Sequence, residues 1–213
     1  MKTYTPAQMQ KFMEVVPPGT SLDRFQEVLG SGLVTDIFDP RAKLANRLVV
    51  RQALGLGPLP SEPGTHIVDY SQSLKDMILA GNYDWKNDDI TAARFPIAGS
   101  GKVEFEDTLF DFGRDVSSEE AVSLIVEADP ANPWAPGKIE NLLAYGAKNP
   151  EEQRKNPIPA LGSVGKVHGD RYVTYLDRDG SKRYLYLLWW GFDWYSYYRF
   201  LAVRKKVSQA SVS

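Results

Sequence analysis

An alternating segment near the C-terminus constrains the fold of this chain more than any other feature. Over residues 172–189 apolar side chains recur at every second position, which is the period of a β-strand. Asp179-Gly180 interrupts the segment with residues that are typical of a hairpin turn. The second strand would carry Tyr184, Tyr186 and Leu188 on one face, and the opposite face would fill the core with Leu185, Leu187 and Trp189. We therefore predict a β-hairpin here.

The density of aromatic residues around this hairpin suggests a binding surface. Nine of the fifteen residues from 184 to 198 are aromatic, against 12% of the chain. Aromatic packing inside a small β-rich domain would explain part of this density. Tyrosine interspersed with Ser, Gly and Asp is also the chemistry of antibody-like binding surfaces, and we favour that interpretation. The predicted ligand-binding residues are Tyr172, Tyr175, Asp177, Tyr184, Tyr186, Leu188, Trp190, Phe192, Asp193, Tyr195, Ser196, Tyr197 and Tyr198. Trp189 and Trp194 are predicted to be buried scaffold.

The N-terminal part reads as a separate helical region. Ser21 is a suitable N-cap for a helix over 22–29, and a second apolar run at helical spacing follows Pro40. Residues 57–64 are rich in Pro and Gly and are the best linker candidate. We therefore predict a helical region over 1–62 and a second domain over 63–213.

The second domain mixes helices and strands. We predict a short strand at 66–70, a helix capped by Ser71 or Ser73, and an apolar strand over 105–112. The motif Ser117-Ser118-Glu119-Glu120 marks the start of a helix over 117–128, and another helix is predicted over 138–147. A final strand covers 200–203. This order predicts the α+β class.

The composition argues against most catalytic and metal sites. There is no cysteine, and the two histidines, His66 and His168, are about a hundred residues apart. We predict no catalytic residue, no metal and no cofactor. The net charge of −2 gives no general attraction for nucleic acid. No signal peptide and no membrane-spanning run is recognisable, so we expect no membrane insertion and a cytoplasmic protein, or one exported by a non-classical route.

Several short motifs carry a resemblance to known proteins. The sequences of 142–147, 150–154, 158–163 and 199–205 are similar to those of an uncharacterised bacterial group. That group resembles the variable proteins of diversity-generating retroelements, in which a reverse transcriptase rewrites adenines in a C-terminal cassette. The resemblance covers about residues 65–206. It implies a C-type-lectin-like domain that follows a small N-terminal helical region, with the varied side chains on a ligand-binding face. The disulfides and calcium motif of vertebrate lectin domains are absent here.

Codon chemistry is compatible with diversification. Asn codons mutated at their adenines can yield Tyr, Ser, Asp, Gly, Leu or Phe, but not Trp. Eight candidate positions carry residues from this set: Tyr184, Tyr186, Leu188, Phe192, Tyr195, Ser196, Tyr197 and Tyr198.

Three functions stay open from the sequence. The first is a ligand-binding display protein whose partner is an unknown protein or surface ligand. The second is an assembly protein, of a phage or a surface complex, that uses the aromatic segment as a subunit interface. A hydrolase with carboxylate chemistry is the weakest of the three. The sequence leaves the ligand and the oligomeric state undetermined.

Overall fold

The structure is a computed structural model, and it describes residues 59–206 together with positions 21, 23, 26, 27 and 30. Positions 23, 26 and 27 are helical, as expected from the helix that we predict over 22–29, and position 30 is helical as well, one residue beyond the predicted end. The second predicted N-terminal helix lies outside the described residues. The chain divides into two compact units, Met1–Asn46 and Arg47–Ser213, and every described strand belongs to the second. The predicted boundary at 62/63 stays a prediction.

The described part of the second unit contains four helices and nine strands. Its helices are α1 (Leu74–Ala80), α2 (Ser118–Glu127), α3 (Ile139–Lys148) and α4 (Glu152–Lys155). Its strands are β1 (Leu59–Pro60), β2 (Gly64–Asp69), β3 (Trp85–Lys86), β4 (Lys102–Asp111), β5 (Ala135–Pro136), β6 (Ile158–Val167), β7 (Asp170–Asp179), β8 (Lys182–Trp189) and β9 (Phe200–Lys205). The predicted α+β class is therefore correct.

Hydroxyl caps begin two of the helices where the sequence predicts them. The Ser73 side chain accepts a hydrogen bond from the backbone N–H of Asp76 and so caps α1. Ser117 does the same for the N–H of Glu120 at the start of α2. Each cap satisfies a backbone donor that has no partner within its helix, which fixes where the helix begins.

The first sheet contains both the first strands and the last strand of residues 59–206. Its order is β1-β4-β9-β5, and β2 also pairs with β4. Strand β9 runs antiparallel to β4, with Leu201 opposite Leu109 and Phe200 opposite Phe110. The predicted linker over 57–64 contributes β1 and the start of β2 to this sheet.

The second sheet contains the predicted hairpin. Its order is β3-β8-β7-β6, and β7 pairs with β8 from Asp179 opposite Lys182 to Tyr172 opposite Trp189. Gly180 begins the turn with φ 59°, a conformation that glycine adopts without strain. The short strand β3 lies parallel to β8 at the edge of the sheet.

The buried apolar side chains form two clusters. The first includes Leu142 and Leu143 of α3, together with Leu176 and Leu185 of the second sheet. The second cluster is mainly aromatic and brings Phe110, Phe200 and Trp194 together with Ile125 of α2 and Val173 of β7. The hairpin β7–β8 supplies side chains to both clusters, one from each face. One end of its second face, which carries Tyr184 and Tyr186, is only partly buried, and the candidate site lies there.

Candidate ligand-binding surface

A connected group of eight aromatic rings extends from the edge of the second sheet to the loop before β9. We call this group the aromatic surface: Trp85, Tyr175, Tyr184, Tyr186, Phe192, Tyr195, Tyr197 and Tyr198. Successive ring centroids lie between 4.8 and 6.3 Å apart along the series Trp85–Tyr186–Tyr175–Tyr198–Tyr197–Tyr195–Phe192. These are the separations at which aromatic rings pack favourably.

The strand register explains how the sheet part of the surface forms. Tyr175 lies directly opposite Tyr186, and Asp177 lies opposite Tyr184. Because side chains opposite one another point to the same face of a sheet, these four share one face. Trp85 of β3 is the partner of Tyr184 on the other side of β8, and its ring is 5.1 Å from that of Tyr186.

Trp194 anchors the loop that carries the rest of the surface. Its side chain is fully buried, and its indole N–H donates to the Ser118 hydroxyl at 2.9 Å. Its backbone also exchanges two hydrogen bonds with Val116, at 2.9 and 3.0 Å. These contacts confirm the prediction that Trp194 points inward. They hold the exposed residues 195–197 on a fixed backbone.

The loop also has polar contacts that hold its outer part. The Ser196 N–H donates to the Asp115 carboxylate at 2.9 Å. The Asn156 amide donates to the Tyr197 carbonyl at 3.0 Å. Tyr195 and Tyr197 are 47% and 49% exposed, so their rings are displayed although their backbone is tied down.

Three predictions about burial were wrong. Trp189, predicted as core, is 51% exposed, whereas Trp190 and Tyr198, predicted as surface, are buried. Strand β8 ends at Trp189, so the alternation of the strand no longer decides which way the next residue points. Trp190 instead packs against α2, where its indole donates to the Glu119 carboxylate and the Arg171 guanidinium lies 5.2 Å above its ring.

Tyr198 is buried because neighbouring aromatic rings enclose it. Its ring is stacked on Tyr197 at 4.8 Å, and it meets the edge of Trp194 at 5.0 Å. Burial, and then the nearby phenols of Tyr197 and Tyr175, raise the pKa of its hydroxyl. Tyr198 is therefore a buried member of the aromatic surface that supports its exposed rings.

The other predicted site residues do not all share the surface. Tyr172 lies opposite Trp189, and the alternation of β7 places it on the sheet face away from Tyr175. Leu188 packs against the second core cluster and is only partly exposed. Asp193 is exposed, next to the partly buried Phe192.

Trp85 is the residue that the sequence analysis missed. It is 45% exposed and contacts both Tyr184 and Tyr186. It stands in a two-residue strand, too short to show an alternating pattern. The only available signal was an isolated tryptophan without apolar neighbours, which does not predict where the ring packs.

Asp177 places a carboxylate within this aromatic environment. It is partly buried, and it accepts a hydrogen bond from the backbone N–H of Arg178 at 2.7 Å. Burial raises the pKa of Asp177, and the Arg178 contact opposes that rise only in part. The surface therefore combines exposed rings with one carboxylate, Asp177, whose burial is only partly offset by its contact with Arg178.

The two histidines lie apart from the aromatic surface, one in a strand and one in a turn. His66 is buried in β2 and forms hydrogen bonds with Asp107 at 2.8 Å and Asn141 at 3.3 Å, which links β2, β4 and α3. His168 lies in the turn between β6 and β7 with φ 51°. Within residues 59–206, and at the few described positions before them, no three acidic or histidine side chains come together as metal ligands would. The expected absence of metal, cofactor and catalysis stays a prediction.

Comparison with known proteins identifies no relative: no family model, no curated protein and no solved structure matches the chain. In the described part of the chain, no helix has the length and apolar character needed to cross a membrane.

Proposed function

We propose that this chain is a binding protein rather than an enzyme, and that its aromatic surface recognises a macromolecular target. The observation that carries the proposal is the exposure of Trp85, Tyr195 and Tyr197, each close to half exposed within one connected group of rings. Large exposed aromatic patches favour aggregation unless they bind something. Tyrosine and tryptophan are also the residues that contribute most to the affinity of protein interfaces.

The way the surface is supported favours recognition over chance exposure. Trp194 and Tyr198 fill the space under the loop, and Ser118 holds the Trp194 indole. A rigid, preorganised surface loses little conformational entropy when it binds, and so gains affinity.

The proposed framework is a C-type-lectin-like domain with a diversified face. The support is the order of elements: β4 pairs with the last strand β9, helices α2 and α3 follow β4, and the sheet that bears the surface follows the helices. The exposed or partly exposed surface residues Tyr184, Tyr186, Tyr195, Ser196 and Tyr197 belong to the set that mutated Asn codons can produce. Trp85 and Trp194 do not, and Trp85 lies outside the proposed cassette.

A peptide-display selection against the immobilised chain tests the binding function. We expect enriched peptides whose binding is lost in the double variant Tyr195→Ser/Tyr197→Ser. The matched control is Ile67→Ser/Leu79→Ser, which removes two exposed apolar side chains from β2 and α1 and should leave binding unchanged. Failure to enrich any peptide, or equal loss in both double variants, would contradict the proposal.

Two further measurements test the proposed diversification and the alternative function as an assembly protein. Sequencing the DNA around the coding region should find a reverse transcriptase and an imperfect repeat of the codons for 172–200; their absence would reject diversification but not binding. Light scattering of the chain at rising concentration tests the assembly alternative. Self-association that the Tyr195→Ser/Tyr197→Ser variant abolishes would show that the surface is a subunit interface.

A further inference from the structure

At the sheet end of the aromatic surface, three mutually inclined rings form an open corner beside a carboxylate. The rings of Trp85, Tyr184 and Tyr186 contact one another at 5.1 to 6.1 Å with mutual inclinations of 47°, 55° and 84°. Tyr175 stacks on Tyr186 at 5.5 Å and continues the wall. Asp177 lies at the side of these rings on the same sheet face, two residues from Tyr175 on β7 and opposite Tyr184 on β8, so Tyr184 stands between it and Trp85 of β3.

Among the described residues, no cation forms an ion pair with the carboxylate of Asp177. Arg178 follows it in the strand, so its side chain leaves from the opposite face of the sheet; its charge lowers the pKa of Asp177, but the two residues form no ion pair. Lys182 lies on the same face as Asp177, opposite Asp179 and in the next pair on that face towards the hairpin turn, and it forms no ion pair with Asp177. A partly buried carboxylate among aromatic rings thus keeps its capacity to pair with a cation from outside.

Arginine matches this combination better than any other side chain. A guanidinium pairs with a carboxylate through two parallel N–H groups, and it also stacks on aromatic faces. It is hydrated less strongly than an ammonium group, so it loses less on entering a partly buried corner. The faces of Trp and Tyr rings attract cations electrostatically.

We infer that the corner formed by Asp177, Trp85, Tyr184 and Tyr186 binds an arginine side chain presented by the target protein. This inference rests on the proposed binding function and names the chemistry by which one part of the surface selects its partner. The loop residues Tyr195 and Tyr197 then contact the less specific remainder of the target.

The direct test uses a small probe. N-acetyl-arginine methylamide is titrated into the chain, and the indole N–H resonance of Trp85, assigned with a Trp85→Phe variant, is followed by NMR. N-acetyl-citrulline methylamide is the neutral probe of matched shape. We expect the arginine probe to bind about tenfold more tightly than the citrulline probe, which corresponds to one modest charged contact. Equal binding of the two probes would overturn the inference.

Variants locate the subsite. Asp177→Asn preserves the size of the side chain and should abolish the preference for arginine over citrulline. Asp170→Asn, which neutralises an exposed aspartate at the other end of β7, should retain it. Tyr184→Leu keeps the carboxylate but removes one ring, and should weaken the arginine probe about threefold through loss of a cation–π contact. A preference that survives both Asp177→Asn and Tyr184→Leu would reject the assignment.

Peptide display separates this inference from the function on which it rests. Enriched peptides that share an arginine, and that lose affinity for the Asp177→Asn variant, support both. Enriched peptides without a shared arginine that still depend on Tyr195 and Tyr197 overturn the arginine subsite and leave the binding function standing. If no peptide is enriched, the binding function fails, and the inference fails with it.

Discussion

The indole of Trp85 lies 5.1 Å from the phenol ring of Tyr186, although the two residues belong to strands far apart in the sequence. The contact depends on β3 pairing in parallel with β8, which brings Trp85 opposite Tyr184. It extends the aromatic surface beyond the C-terminal segment. A scaffold residue outside the proposed diversified cassette thereby contributes to the candidate site.

Replacing Trp85 with alanine should weaken binding much more than folding. The side chain is half exposed, so we expect a loss of about 1 kcal/mol or less in the free energy of unfolding, as is usual for surface positions. A loss of about 2 kcal/mol is expected in the affinity for enriched peptides, because interface tryptophans are frequent hot spots. Urea unfolding and peptide titration measure the two effects. An unfolding loss above the binding loss would mean that Trp85 is structural.

The two tryptophans Trp189 and Trp194 should respond in opposite ways. Trp194→Ala removes a fully buried ring and its hydrogen bond to Ser118, and should destabilise the chain by about 3–5 kcal/mol. Trp189→Ala removes a half-exposed ring and should cost about 1 kcal/mol or less. Urea unfolding of the two variants gives the comparison. Similar losses would contradict this difference in burial.

The adjacent residues Tyr197 and Tyr198 offer a sharper comparison. Tyr197→Ser should leave stability within about 1 kcal/mol and reduce peptide binding, because the ring is exposed. Tyr198→Ser removes a buried ring that contacts Trp194 and Tyr175, and should cost about 3 kcal/mol or more. Thermal unfolding together with peptide titration distinguishes the two roles. Equal stability of the two variants would show that Tyr198 is not part of the core.

The buried carboxylate of Glu140 should make the stability of the chain depend on pH. This residue of α3 is buried, and neither carboxylate oxygen has a well-formed hydrogen bond within the described residues. Burial raises its pKa above the ordinary value of 4.5, an effect that the α3 backbone, Lys138 and the Tyr70 hydroxyl oppose only in part. Because the folded state then holds the proton more tightly, stability should fall as the pH rises from about 4.5 through the raised pKa.

The variant Glu140→Gln checks that sign. It removes the buried charge and should stabilise the chain by about 1 kcal/mol at pH 7, with the gain disappearing near pH 4. Glu62→Gln, at an exposed position, is the control and should show no such change. Melting temperatures across this pH range provide the measurement. A gain that is constant with pH would rule out a charge effect.

Local patterns were sufficient to predict most elements and part of the site. The hydroxyls of Ser73 and Ser117 begin helices because they satisfy backbone donors a few residues away. The hairpin register follows from Gly180 and from the period of two, which together place Tyr184 and Tyr186 on one face. These interactions join residues that are close in the sequence, so the sequence itself contains the information.

Only the tertiary structure decided which aromatic rings are displayed. Trp189, Trp190 and Tyr198 differ in burial because of where β8 ends and what α2 and Trp194 cover. Trp85 joins the surface through a parallel pairing that no short-range pattern specifies. Side-chain chemistry is a property of the residue, whereas exposure depends on what distant segments pack against it. The sequence alone determined that this chain carries an aromatic segment on a β-hairpin, and packing decided which of its rings face solvent.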